Sequence, residues 1–262
     1  MYEYLHALLS DKKGGEVFTC FGAWHVVYML IFAAAATLAV LYLKNKSKED
    51  ANKFIRRLLC CAFGLYIADF FLMPFAYEEI DIEKLPFHIC TAMCVCCFIC
   101  TYNRFFEGFL PCVSRLAFLS NLVYLIYPAG VMWYSVHPLS YRVIQTLTFH
   151  GLMSVYGLLM LLFSEPPRLK VCYRDLPVIG AMTLWALLGN LLYNGTAGSY
   201  SHEFNWFFVL RDPFYMLPES IAPFIMPILN TLIFFAADIL LYLFRIWIEK
   251  IKKEHKNAHI QG

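Results

Sequence analysis

The 262-residue chain is 60% hydrophobic and only 15% charged, with a mean hydropathy of +0.59. Soluble domains run at about 45–50% apolar and about 25% charged residues, so water is excluded as the solvent for most of this surface. The net charge of +2 argues against nucleic acid or any other polyanionic partner.

The first residues, Met1 to Glu16, carry Lys12, Lys13 and paired glycines. They lack the short apolar core and small-residue cleavage site of a signal peptide, so the first apolar run is expected to stay as a helix. A bilayer core of about 30 Å needs about 20 apolar residues per helix. Runs of that kind predict helices at Gly22–Leu43, Leu58–Ala76, Pro86–Tyr102, Gly108–Tyr127, Arg142–Phe163, Leu176–Tyr193 and Ile221–Ile248. The expected fold is an all-α polytopic bundle of about seven transmembrane helices, one domain followed by a basic tail, 249–262.

Charge fixes the expected orientation. Lys44, Lys46, Lys48, Lys53, Arg56 and Arg57 follow the first helix; Arg168, Lys170 and Arg174 follow the fifth; Lys250, Lys252, Lys253 and Lys256 follow the last. With seven spans these all fall on one side, whereas the alternate loops hold Glu78, Glu79, Asp81 and Glu83, then His137, then the long stretch Asn194–Ser220. The positive-inside rule gives an external N-terminus and a cytoplasmic C-terminus in the plasma (cytoplasmic) membrane. The tail reads as a topology anchor or as a grip on anionic lipid headgroups. Of the ten cysteines, Cys60, Cys61, Cys90, Cys94, Cys96, Cys97, Cys100 and Cys112 lie in apolar runs, where cysteine packs as a small hydrophobe, not as part of a disulfide framework.

Ionisable groups within spans are expensive and mark function by default. At about 1.5 Å per residue, His25, Asp69, His88, Cys90, Gln145 and His150 fall in one band near the external face, with Tyr127-Pro128 closing the fourth helix. Arg115 and Asp238 fall in the opposite half and read as an intramembrane ion pair, or as separate snorkelling and capping residues. In the external band a cysteine beside a histidine can become a nucleophilic thiolate, and Asp69 can orient a histidine as the third member of such a relay. That assigns Cys90, His150, His88 and Asp69 to catalysis. Substrate binding falls to His25, Gln145, Tyr127, and Asn194, Tyr200 and Trp206 of the long aromatic loop. Three histidines can also hold a metal, but no HxxxH or HExxH spacing is present, so no metal or other cofactor is expected.

Several short runs carry a family resemblance. Phe18-Thr19-Cys20-Phe21-Gly22-Ala23-Trp24-His25, Leu85-Pro86-Phe87-His88-Ile89-Cys90, Tyr127-Pro128, Phe149-His150-Gly151 and Asn194-Gly195 together resemble the YwaF-like bacterial integral membrane proteins over nearly the whole chain. That group is in turn similar to an animal membrane acyltransferase that remodels ether phospholipids, which Asp212-Pro213-Phe214-Tyr215 also resembles. The resemblance implies acyl transfer by a cysteine and a histidine, the latter at His150. The cysteine of the animal protein falls on Phe87, which cannot attack an acyl group, and Cys90 lies one turn deeper on nearly the same face. The implied function is an intramembrane acyltransferase or esterase for a phospholipid or lysophospholipid. A non-catalytic binder or transporter of a lipid or small amphiphile is the alternative, and a structural subunit packed through Ala33-Ala34-Ala35-Ala36 is a third reading. In each of the first two the partners are membrane lipids.

Overall fold

A computed structural model describes residues 2–11, 15–77, 81–132, 134–164, 169–196, 204–213 and 216–261. Its helices are α1 (Tyr2–Leu9), α2 (Ala23–Leu43), α3 (Lys48–Ala76), α4 (Ile89–Tyr102), α5 (Leu110–Ile126), α6 (Ala129–Met132), α7 (Tyr141–Phe163), α8 (Asp175–Thr196) and α9 (Ala222–Gln261). The architecture is an all-α, polytopic bundle. Among the described residues six helical segments are long and apolar enough to cross a bilayer: Ala23–Leu43, Lys48–Ala76, Glu107–Met132, Tyr141–Phe163, Cys172–Asn194 and Ala222–Ile251. The seventh apolar helix, α4, has 14 residues and reaches about 21 Å at about 1.5 Å per residue, short of the bilayer core.

Three boundaries differ from the sequence-based expectation, each for a local reason. α3 starts ten residues before Leu58, because Ser47 caps it: the Ser47 hydroxyl accepts from the Asp50 N–H at 3.1 Å, and Glu49 and Asp50 sit in the positive first turn. Its charged first turns continue the helix beyond the apolar run. α4 starts at Ile89 and not at Pro86, with His88 as its N-cap residue in extended conformation; the chain arrives through a 3₁₀ turn, Ile82–Lys84. α9 runs on through the basic tail, and Arg245–Glu249 (2.5 Å) at its start and Lys250–Glu254 (3.9 Å) within it each pair residues one turn apart. α1 lies outside every predicted span and packs on α3.

The bundle is built around α7, which packs along α5, α3 and α2, while α4 lies on α5 and α3 and α8 pairs with α9. About 67% of the apolar stretch of α7 is buried, against 11% for α2 and for α9. The two outer helices therefore present apolar side chains such as Leu30, Leu38, Phe224 and Leu240 outward, as lipid contact requires. α5 and α7 meet closely because position 157 is glycine: a Cβ there would lie 2.7 Å from the Phe118 Cβ and 2.8 Å from its Cα. Small residues at such crossings let helices approach without a hydrophobic drive from the surrounding lipid. All ten cysteines are free.

Candidate functional site

The polar residues gather at the end of the bundle where α4, α7 and α9 begin and α3 and α5 end. They form three layers along α7, one turn apart. The outermost is Arg142. Its Nε donates to Asp11 Oδ2 and a terminal nitrogen donates to Asp81 Oδ2, both at 2.8 Å. The guanidinium lies between the rings of Tyr134 and Tyr77, 3.6 and 4.0 Å from their centroids, a cation–π sandwich. Burial, chiefly, holds the Tyr77 and Tyr134 phenols above the ordinary tyrosine range, so both stay protonated.

The second layer centres on Lys84. Its Nζ donates to Gln145 Oε1 at 2.9 Å and to Thr146 Oγ1 at 3.1 Å, and pairs with Asp69 Oδ2 at 3.2 Å. Two of the ammonium's three protons are hydrogen-bonded in this way, and Asp69 supplies the compensating charge. The other Asp69 oxygen accepts from the hydroxyls of Tyr141 (3.0 Å) and Tyr77 (3.3 Å). A carboxylate that is only 1% exposed is thereby charge-paired through Oδ2, which has no hydrogen bond of its own, and hydrogen-bonded through Oδ1.

His150 forms the third layer. Its Nδ1–H donates to the Thr146 carbonyl at 2.7 Å, which fixes the tautomer and leaves the Nε2 lone pair as an acceptor. The Tyr124 ring stacks on the imidazole, 3.7 Å between centroids and 13° from parallel, and Phe149 meets it edge-on. His150 is 4% exposed, and Nε2 is buried with no hydrogen-bond partner. The Lys84 ammonium and the His88 ring lie within electrostatic reach of it. Cys90 sits nearby, within reach of Lys84, Tyr66 and Tyr124.

The sequence-predicted residues thus divide. Asp69, Gln145, His150, Cys90 and His88 come into one neighbourhood. His25 is at the same end but is a core latch: its Nδ1 accepts from the Phe21 N–H at 2.8 Å and its Nε2 donates to the Leu125 carbonyl at 2.7 Å, tying α2 to α5. Tyr127 is 60% exposed on the C-terminal end of α5. Asn194 clamps the Phe204 backbone through two bonds of 2.7 and 2.8 Å. Trp206 is buried, stacked on Phe204 and tilted against Phe87. Tyr200 lies outside the described residues. Phe87 has a packing role of its own: it lies between Trp185 and Trp206, each 5.0 Å away, over Gly189, where a Cβ would come within 2.4 Å of its ring.

Sequence reasoning missed Lys84, Arg142, Tyr77 and Asp11. A signal was available: Lys84 and Arg142 are cations at the end that the positive-inside rule leaves poor in them, so each needed an internal anion. At the opposite end, Arg115 does meet Asp238, through Nε at 2.6 Å and a terminal nitrogen at 3.2 Å. A further partner, Asp175, accepts at 2.5 Å, and the Tyr242 ring lies 5.0 Å from the guanidinium carbon.

The relay required for acyl transfer is not formed. Asp69 is committed to Lys84 and two tyrosines, not to a histidine. His150 spends Nδ1 on a backbone carbonyl and has no bond from Nε2, so no hydrogen bond joins it to Cys90. No cluster of three or more His, Cys, Asp or Glu side chains able to hold a metal occurs among the described residues. The acyltransferase and esterase reading is therefore withdrawn. The YwaF-like resemblance is corrected too: the chain matches the model of the TMEM164 family over residues 20–248, a stretch that takes in almost all the runs quoted for that resemblance. No curated protein and no solved structure gives a match.

Proposed function

The chain belongs to the TMEM164 family, and on that premise we propose that it is a seven-span protein of the plasma membrane whose outer polar chamber binds the headgroup of a membrane amphiphile. In this reading α4 is the short seventh span, the N-terminus lies outside, and the lysine-rich end of α9 lies against the anionic cytoplasmic leaflet.

The observation that carries the proposal is the His150 ring. A buried acceptor without a donor costs about 1–3 kcal/mol, and a polar atom left in that state calls for a water or a ligand. Nε2 requires a hydrogen-bond donor, so the headgroup presents a hydroxyl or an N–H there. Lys84 positions Gln145 and Thr146; Thr146 in turn holds the imidazole. The work of the chamber is to orient a ring, not to generate a nucleophile.

The test is the lipid that accompanies the protein. Purified in nanodiscs, the wild type retains bound amphiphile that mass spectrometry quantifies per chain. His150→Phe keeps the stacking on Tyr124 and removes the acceptor. One hydrogen bond of about 1 kcal/mol corresponds to about a fivefold weaker retention. Equal retention by a stably folded His150→Phe protein would overturn the reading.

A further inference from the structure

The outer polar layers lie within the family region, but part of what covers them does not. The family match begins at residue 20, yet Asp11 supplies one of the two carboxylates on Arg142. We propose that residues 2–11 form a gate over the outer chamber, held shut by the Asp11–Arg142 ion pair. The proposal relies on the reading above only for what the chamber holds; the closure is independent of any ligand.

Contacts by Asp11, His6 and Leu9 seat the segment. The Asp11 carboxylate meets Arg142 Nε at 2.8 Å, with side-chain exposures of 14% and 7%. The His6 Nδ1–H donates to the Phe75 carbonyl at 2.9 Å. That carbonyl is in the last turn of α3, where helix carbonyls lack an intrahelical donor. Leu9 packs on the small cluster of Met73, Ala76 and Tyr77, beside Tyr141. Tyr77 and Tyr141 are also the two hydroxyls on Asp69, so the seat of the segment is the outer wall of the Lys84 layer.

The latch is built to open. Asp11 uses one oxygen only; Oδ1 is buried without a partner. Arg142 keeps Asp81 and both tyrosine faces when Asp11 leaves, so opening does not strand a bare guanidinium. An arginine whose sole carboxylate came from the segment would forbid that motion, because an unpaired buried charge is too costly. The segment is small and leaves Tyr4 and Leu8 exposed, the character of units that open well below global unfolding.

Cys90 reports the state of the gate. It is buried in the first turn of α4 and interacts electrostatically with Lys84, while Cys97 lies two turns further along α4 and is fully buried. The full-length protein is exposed to a small neutral maleimide, and alkylation of each cysteine is followed by peptide mass spectrometry. Asp11→Asn, and separately Leu9→Ser, should raise the Cys90 rate about tenfold and leave Cys97 unchanged. An unchanged Cys90 rate in both variants would overturn the gate. A parallel rise at Cys90 and Cys97 would also overturn it, since the segment would then support the fold as a whole. Loss of lipid retention in His150→Phe bears on the chamber reading alone, so the two proposals fail separately.

Discussion

His25 and His150 are chemically identical and sit at the same end of the bundle, yet their nitrogens are spent differently. His25 bonds through both, to Phe21 and Leu125; His150 bonds through one. His25→Ala should therefore lower stability by about 2 kcal/mol, two hydrogen bonds of about 1 kcal/mol each, seen as a lower midpoint in thermal unfolding, while leaving lipid retention intact once folded. His150→Phe should do the reverse. Lys84 makes the sharper case. Lys84→Met leaves the Asp69 carboxylate buried and unpaired, at a cost of about 3–5 kcal/mol. Adding Asp69→Leu to the same protein should recover part of that loss, because the stranded charge goes with it. A double variant no more stable than Lys84→Met alone would refute the pairing as the source of the penalty.

At the scale of elements, the apolar runs were legible and the helix ends were not. Hydropathy is a local sum, so six segments of spanning length declared themselves. Caps are single residues whose effect depends on backbone geometry, so Ser47 extended α3 into a charged stretch that reads as loop. α4 reads as a full span only if Pro86–His88 is counted in the helix, and the structure places those residues in a turn. Close crossings were also hidden. Gly157→Val at the α5–α7 contact should cost about 1–3 kcal/mol, because the obstacle at 2.8 Å is the Phe118 backbone and not a movable side chain. Unfolding in detergent measures it, and Gly180→Val, at a glycine with open space around it, is the comparison that should cost much less.

Across the whole molecule, ion pairs gather at opposite ends: Arg142–Asp81 and Lys84–Asp69 at one, Arg115–Asp238 and Arg115–Asp175 at the other. Each keeps buried charges paired, so removing a single partner strands a charge. Orientation gives the whole-molecule prediction. Cysteines introduced at Val17 and at Asn52, both exposed, lie at opposite ends of the bundle. An impermeant thiol reagent outside intact cells should label the first and spare the second; the reverse pattern would invert the topology.

Composition, run length and loop charge fixed the membrane as solvent and the helical class, because these are sums over neighbouring residues and do not depend on what the chain later meets. They also put several polar residues at one expected depth. Which of those residues touch was decided only by the tertiary structure: Lys84 finds Gln145 and Asp69, Tyr124 finds His150, and Asp11 finds Arg142 across 131 positions. The physical reason is range. Burying a charge or an imidazole demands a partner within about 3 Å, and a side chain acquires partners at that distance through the packing of helices remote in sequence, not through its own neighbours along the chain.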